Sequence, residues 1–138
     1  PPSLTDCINK GELLRRLSRR EDAIDWVNRC LADHPRDAGL INLKACLLQD
    51  LGQNQDALTL YGMAIDVDPA NPQIYSNRGF LLSDQGRHLD AKQVFEAKAN
   101  FTASPQKIGT QSPGGNFLKS VPITLNASSR CQMQKPLP

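Results

Sequence analysis

The sequence repeats with a period of 34 residues, and no other feature limits its fold as much. Alanine recurs at Ala23, Ala57 and Ala91, with the same step between neighbours. Other positions keep this step and a similar residue size: Gly11, Ala45 and Gly79; Leu14, Leu48 and Leu82; Val27, Tyr61 and Phe95; Pro35 and Pro69; Gly52 and Gly86. A fixed period of this length is typical of proteins built from stacked supersecondary units.

Each period contains two helical patterns separated by a turn. In the second period, Ile41, Ala45 and Leu48 fall on one face of a helix. Gly52 suits the left-handed end of that helix, and Pro69 stops the helix that follows. The pattern predicts helices over 4–17, 20–33, 37–51, 54–67, 72–85 and 88–100.

These helices form three hairpins, which predicts an all-α fold with one repeat domain over residues 4–100. The predicted repeats are 4–37, 38–71 and 72–100. Because one hairpin cannot bury its apolar face alone, neighbouring hairpins are expected to stack. The remaining residues, 101–138, are rich in Pro, Gly, Ser and Thr, which predicts a largely irregular tail that is disordered or loosely packed.

The charge of the chain is close to balanced. The net charge is +2, with −2 on residues 1–100 and +4 on residues 101–138. This distribution lacks the strong basic patch of a nucleic-acid-binding domain. No apolar run approaches the roughly 20 residues that a membrane span needs. We therefore expect that the chain neither binds nucleic acid nor inserts into a membrane.

Residue types that carry catalysis or bind metals do not form a recognisable pattern. The four cysteines, Cys7, Cys30, Cys46 and Cys131, form no CxxC pair, and the two histidines stand apart in sequence. No nucleophile, phosphate-loop or dinucleotide motif occurs. The sequence therefore predicts no enzyme, no catalytic residues, no cofactor and no metal. The cysteines are expected to be buried free thiols in a reducing compartment, which favours a cytoplasmic location.

Two local features allow more than one interpretation. The basic cluster of residues 15–20 could face an acidic partner or make Ser18 the target of a basophilic kinase. The favoured interpretation is a solvated helix end, because cations are stabilised near a helix C-terminus. Trp26 is interpreted as a half-buried packing residue rather than a binding hot spot.

The repeating residues also resemble a known family. The third repeat carries Tyr75, Gly79, Leu82, Ala91 and Phe95 at the characteristic spacing, and the segment 64–72 is close to the usual end of a repeat. In these respects residues 4–100 resemble tetratricopeptide repeats. The resemblance implies a right-handed αα superhelix whose first helices line a concave groove that binds a peptide or helix of another protein.

Two departures from the family pattern concern the third repeat. Lys98 stands where a small residue is expected, so the repeat is predicted to end or fray there. No amphipathic capping helix follows residue 100, which leaves the last hairpin open to self-association.

The resemblance also implies a set of groove residues. They are Asn9, Glu12 and Arg16 from the first repeat, Asn42, Leu43 and Gln49 from the second, and Gln73, Asn77, Phe80 and Asp84 from the third. The amides of Asn9 and Asn77 could each donate to and accept from a peptide backbone. The mixed apolar and polar lining favours an amphipathic guest over a C-terminal carboxylate.

The function expected on these grounds is that of an interaction module or adaptor. Two alternatives remain open. The chain could be a fragment of a longer solenoid or a self-associating scaffold, or it could be the regulatory domain of an enzyme.

Overall fold

The computed structural model describes residues 1–103, and all secondary structure in that part of the chain is helical. The helices are α1 (Leu4–Arg16), α2 (Arg20–Asp33), α3 (Ala38–Asp50), α4 (Asn54–Val67), α5 (Pro72–Asp84) and α6 (His88–Ala103). The all-α prediction and the six predicted helices are confirmed. Of the tail predicted over 101–138, the first three residues belong to α6, and the rest lies outside the described residues.

The first helix of each hairpin begins at a side-chain cap. Ser3 Oγ, Asp37 Oδ1 and Asn71 Oδ1 each accept a hydrogen bond from a backbone N–H of the first turn, at 3.1, 2.8 and 3.0 Å. Such caps satisfy donors that have no partner within the helix. The caps are themselves 34 residues apart, so the helix starts follow the sequence period.

The turns inside the hairpins share one backbone conformation. Ser18, Gly52 and Gly86 have φ angles of 62°, 82° and 78°. Each backbone N–H donates to the carbonyl three residues earlier, at 2.9 to 3.0 Å. Left-handed backbone of this kind favours glycine, so Ser18 is the exception among the three turns.

The described residues divide into two compact units, 1–68 and 69–103. In the first unit, α1 packs against α2, α3 packs against α4, and α3 also contacts both α1 and α2. In the second unit, α5 packs against α6. Adjacent helices are therefore paired as hairpins in both units.

The core of the first unit depends on a close approach between helices at Gly11. A Cβ atom at this position would lie 2.8 Å from Leu43 Cδ2 and 3.0 Å from Val27 Cγ2. Leu43 and Val27 belong to the apolar cluster that α1, α2 and α3 bury together. Glycine thus allows α3 to pack onto the first hairpin.

The cysteines of the first hairpin correct one prediction. Cys7 and Cys30 are buried as expected, but their sulfurs are joined in a disulfide, and their Cα atoms are 6.0 Å apart. This separation lies within the range that a disulfide spans, because α1 and α2 pack with these positions facing each other. No cysteine among residues 1–103 is a free thiol, so the prediction of buried free thiols is wrong there. Cys131 lies outside the described residues, and the cytoplasmic location stays a prediction.

Lys98 corrects a second prediction, because α6 continues past it to Ala103. The Lys98 residue is 4% exposed, and its Nζ donates to Ser76 Oγ of α5 at 2.7 Å. Loss of hydration on burial lowers the pKa of Lys98 to about 8. The lysine therefore joins the two helices instead of ending the repeat.

Within residues 1–103, no helix combines the length and the apolar character needed to cross a membrane.

Candidate functional site

The first helices of the first two hairpins, α1 and α3, lie side by side in parallel. Near their N-termini, a Cβ atom on Gly39 would lie 3.3 Å from Ile8 Cδ1. Near their C-termini, Arg15 binds Asp50. Because both contacts join equivalent ends, the two helices run in the same direction. Residues of α1 and α3 that point away from the core can therefore form one surface.

A buried ion pair fixes the C-terminal ends of these two helices. Arg15 Nε donates to Asp50 Oδ2 at 2.5 Å, and Nη2 donates to Oδ1 at 3.3 Å. The two side chains are 2% and 1% exposed. A two-point contact between a guanidinium and a carboxylate sets geometry as well as energy. The pair therefore holds α1 and α3 at a defined spacing.

Beside this pair, Tyr61 of α4 donates its hydroxyl to Gln49 Oε1 at 2.8 Å and lies 3.3 Å from Cys46 Sγ. Burial raises the pKa of Tyr61 well above its ordinary value, while the charge of Arg15 opposes this rise and that of Asp50 adds to it. Tyr61 thus remains a neutral donor, and it binds α4 to α3 under the predicted surface.

The first unit contains six of the predicted groove residues in two different environments. Exposed or partly exposed are Asn9, Glu12, Arg16 and Asn42. Leu43 and Gln49 are buried instead, Leu43 in the apolar cluster and Gln49 against Tyr61. The structure therefore leaves a polar surface on α1 and α3, supported from below by the two buried side chains.

The second unit contains the other four predicted residues, all on α5. Asp84 is exposed, Gln73 and Phe80 are partly buried, and Asn77 is buried. The Phe80 ring meets Phe95 of α6 edge to face, with 5.6 Å between ring centroids. Phe80 is therefore held in place while part of its surface remains exposed.

The structure also shows features that sequence reasoning did not identify. Lys10 Nζ lies 3.8 Å from the centroid of the Trp26 ring, and Trp26 Nε1 donates to the Cys7 carbonyl at 3.0 Å. Trp26 is half-buried, as predicted, and lines a surface cleft of about 300 Å³ together with side chains of both charges. Lys10 recurs as Lys44 and Arg78, but Leu60 and Val94 stand at the positions equivalent to Trp26, so the repeat pattern gave no signal for the contact between Lys10 and Trp26.

Groups that could carry metal chemistry are scattered in the structure. Over residues 1–103, no three His, Cys, Asp or Glu side chains come together as a metal site would require. Exposed His88 has its Nδ1 3.4 Å from Ser83 Oγ, a contact local to the α5–α6 turn. The surface on α1 and α3 therefore remains the candidate site.

Comparison with known proteins supports the repeat architecture. Residues 47–86 match the family model described as TPR repeat, a segment that contains α4 and α5 whole. No curated protein matches the chain. Repeats of this family generally serve as protein–protein interaction modules. Residues 47–86 are therefore similar to a tetratricopeptide repeat, and the six helices of residues 1–103 pair in the way that repeats of this family do.

Proposed function

We propose that the chain binds a peptide or helix of a partner protein on the surface that α1 and α3 share. The observation that carries this proposal is the parallel packing of α1 and α3, with Asn9, Glu12, Arg16 and Asn42 left outside the core. Side chains that hold no core position can exchange water for a guest. The buried Arg15–Asp50 pair supports the proposal, because it keeps the two helices at a constant spacing before any guest binds.

The side chains on this surface suggest which groups of a guest they would contact. Asn9 can both donate to and accept from a peptide backbone. Arg16 is 58% exposed, and its Nε lies 4.0 Å from Glu12 Oε1. An exposed ion pair at this distance is weak, so a guest carboxylate can replace Glu12 as the partner of Arg16. We therefore expect an extended or helical guest that carries an acidic side chain.

In the second unit, we propose contacts from Gln73, Phe80 and Asp84. The exposed part of Phe80 would pack against an apolar side chain of the guest. Because Asn77 is buried, Asn9 is the better candidate for the side-chain amide that hydrogen-bonds to the backbone of the guest. Leu43 and Gln49 would not contact the guest but would hold α3 in position through their buried contacts.

The test uses peptides selected from a random displayed library on the immobilised full chain, followed by titration calorimetry. The variants Asn9→Ala and Arg16→Ala should each weaken binding about tenfold, because each removes one direct contact. The matched controls are Asn28→Ala and Arg29→Ala, which change the same residue types on the exposed side of α2. Equal affinity for all four variants would show that the guest binds elsewhere.

A second candidate function is self-association through the third hairpin, or its docking onto further repeats. Val27 and Tyr61 are 0% exposed, whereas Phe95, at the equivalent position of α6, is only partly buried. Leu89 and Phe101 are also exposed on α6. Light scattering over a range of concentrations measures the mass directly. A mass of one chain throughout would exclude self-association, and Leu89→Ser should shift any dimer toward monomer.

A further inference from the structure

The turn between α1 and α2 exposes a hydroxyl where the other two hairpins have glycine. Ser18 has a φ of 62°, and its equivalents are Gly52 and Gly86. The Ser18 side chain is exposed, and Ser18 follows Leu17, the C-cap residue of α1. The left-handed backbone is unfavourable for serine, so this turn opens more readily than a turn with glycine at the same position.

Arginines surround this hydroxyl on both sides in sequence. Arg15 and Arg16 precede Ser18 by three and two residues, and Arg19 and Arg20 follow it. Arg16 and Arg19 are 58% and 60% exposed, and Arg19 Nε donates to Asp22 Oδ2 at 2.8 Å in an exposed ion pair that a phosphate could replace. Arg20 Nε is buried and has no hydrogen-bond acceptor in the part of the chain that the structure describes. Two exposed guanidinium groups, those of Arg16 and Arg19, therefore lie within two residues of Ser18 in sequence.

We propose that Ser18 is a phosphorylation site for a protein kinase that recognises arginines on the N-terminal side of its target. Ser18 Oγ would attack the γ-phosphorus of ATP and form a new O–P bond. The bond between that phosphorus and the β–γ bridging oxygen breaks, ADP leaves, and the hydroxyl proton passes to the catalytic carboxylate of the kinase. Ser18 itself is not a proposed guest contact, and its modification does not depend on guest binding, although Arg16 belongs to both proposals.

The local structure can also stabilise the product. Helix α2 begins without a side-chain cap, because Arg19 occupies the cap position and makes no such hydrogen bond. The first N–H groups of α2 are therefore available to an anion, and the positive end of the helix dipole favours negative charge there. A phosphate on Ser18 would lie next in sequence to this helix start and to the exposed Arg16 and Arg19, which can order a phosphorylated segment, while Glu21 and Asp22 in the first turn of α2 oppose it.

The fold determines which of the arginines before Ser18 is accessible to the kinase. Arg15 is bound to Asp50 and buried, so it is withheld from a kinase in the folded chain, whereas Arg16 is exposed. Recognition should therefore depend strongly on Arg16. Asp50→Asn weakens the hold on Arg15 and should increase the phosphorylation rate.

The experiment treats the full chain with ATP and the catalytic subunit of the cyclic-AMP-dependent protein kinase, followed by peptide mapping by mass spectrometry. We expect one phosphoryl group on Ser18. The Ser18→Gly variant, which keeps the turn geometry, should carry none in that peptide. Arg16→Ala should lower the initial rate about tenfold, while the matched surface variant Arg29→Ala should leave it unchanged.

A synthetic peptide of residues 12–24 serves as the positive control, and circular dichroism confirms that each variant is folded. If the peptide is fully modified while Ser18 of the folded chain stays unmodified, the fold shields the site and the proposal is overturned. If Arg16→Ala and the wild type react at the same rate, arginine recognition is overturned as well. A slower reaction of the folded chain that Asp50→Asn accelerates supports the proposed role of Arg15.

Discussion

Gly79 gives the sharpest test of how the third hairpin is packed. A Cβ atom at this position of α5 would lie 2.6 Å from Phe95 Cζ and 2.7 Å from Phe95 Cε1. Contacts this short do not occur between real Cβ atoms and ring carbons, so Gly79→Ala must displace the Phe95 ring or separate α5 from α6. The same ring meets Phe80 edge to face, and any displacement also disturbs that contact.

Three effects decide how much Gly79→Ala changes the free energy of unfolding. Overpacking a filled core destabilises by about 1–3 kcal/mol. Weakening the pair of Phe80 and Phe95 costs up to about 1 kcal/mol more. Alanine is favoured over glycine inside a helix by about 0.8–1.0 kcal/mol, and this acts in the opposite direction. Overpacking should win, so we expect Gly79→Ala to lower the free energy of unfolding by about 2 kcal/mol.

The assay is urea denaturation followed by circular dichroism at equal protein concentration. The control is the same substitution in the Phe95→Leu background, where the ring atoms that approach Gly79 are absent. There the added methyl group should be neutral or stabilising by up to about 1 kcal/mol, since only the helix preference of alanine remains. If Gly79→Ala stabilises the wild-type chain, the ring is not packed on Gly79 as described and the reasoning fails.

Three further predictions concern charge, backbone and pH. Asp50→Ala leaves Arg15 buried without this partner and should lower the free energy of unfolding by about 3–5 kcal/mol, whereas Arg15→Met with Asp50→Leu should recover most of that loss in the same urea titration. Ser18→Gly removes the strain of a non-glycine residue in left-handed backbone and should raise the free energy of unfolding by about 1 kcal/mol. An unchanged free energy of unfolding would argue against the φ of 62° at Ser18. Burial lowers the pKa of Lys98 from 10.5 to about 8, so the folded chain releases this proton at lower pH than the unfolded chain does. Between pH 8 and 10.5 the wild type should therefore gain stability relative to Lys98→Met, and parallel pH profiles would contradict the assignment.

Much of the fold could be predicted from the sequence because its signals are short in range. Helix periodicity, capping residues and turn glycines each act within a few residues, and the 34-residue period repeats them. Asp37 and Asn71 cap the first helices of the second and third hairpins, and Gly52 and Gly86 form their inner turns. The helix ends therefore differ from prediction by three residues at most.

The candidate site could be predicted only in part. A helix position shows which face a residue lies on, but it does not show how much of that face a neighbouring helix covers. Asn9 and Arg16 remain exposed, whereas Leu43 is buried because α3 packs tightly over Gly11. The depth of packing depends on contacts between helices, and the repeat pattern does not specify it.

The sequence by itself determined the number of helices, their limits and their pairing as hairpins. These features depend on local conformational preferences, and the same preferences recur in each repeat. Only the tertiary structure showed that Arg15 binds Asp50, that Cys7 bonds to Cys30, and that Lys98 is buried against α5. These contacts join residues far apart in the chain and do not recur from repeat to repeat. They depend on the distance and orientation between packed helices, which only the folded chain defines.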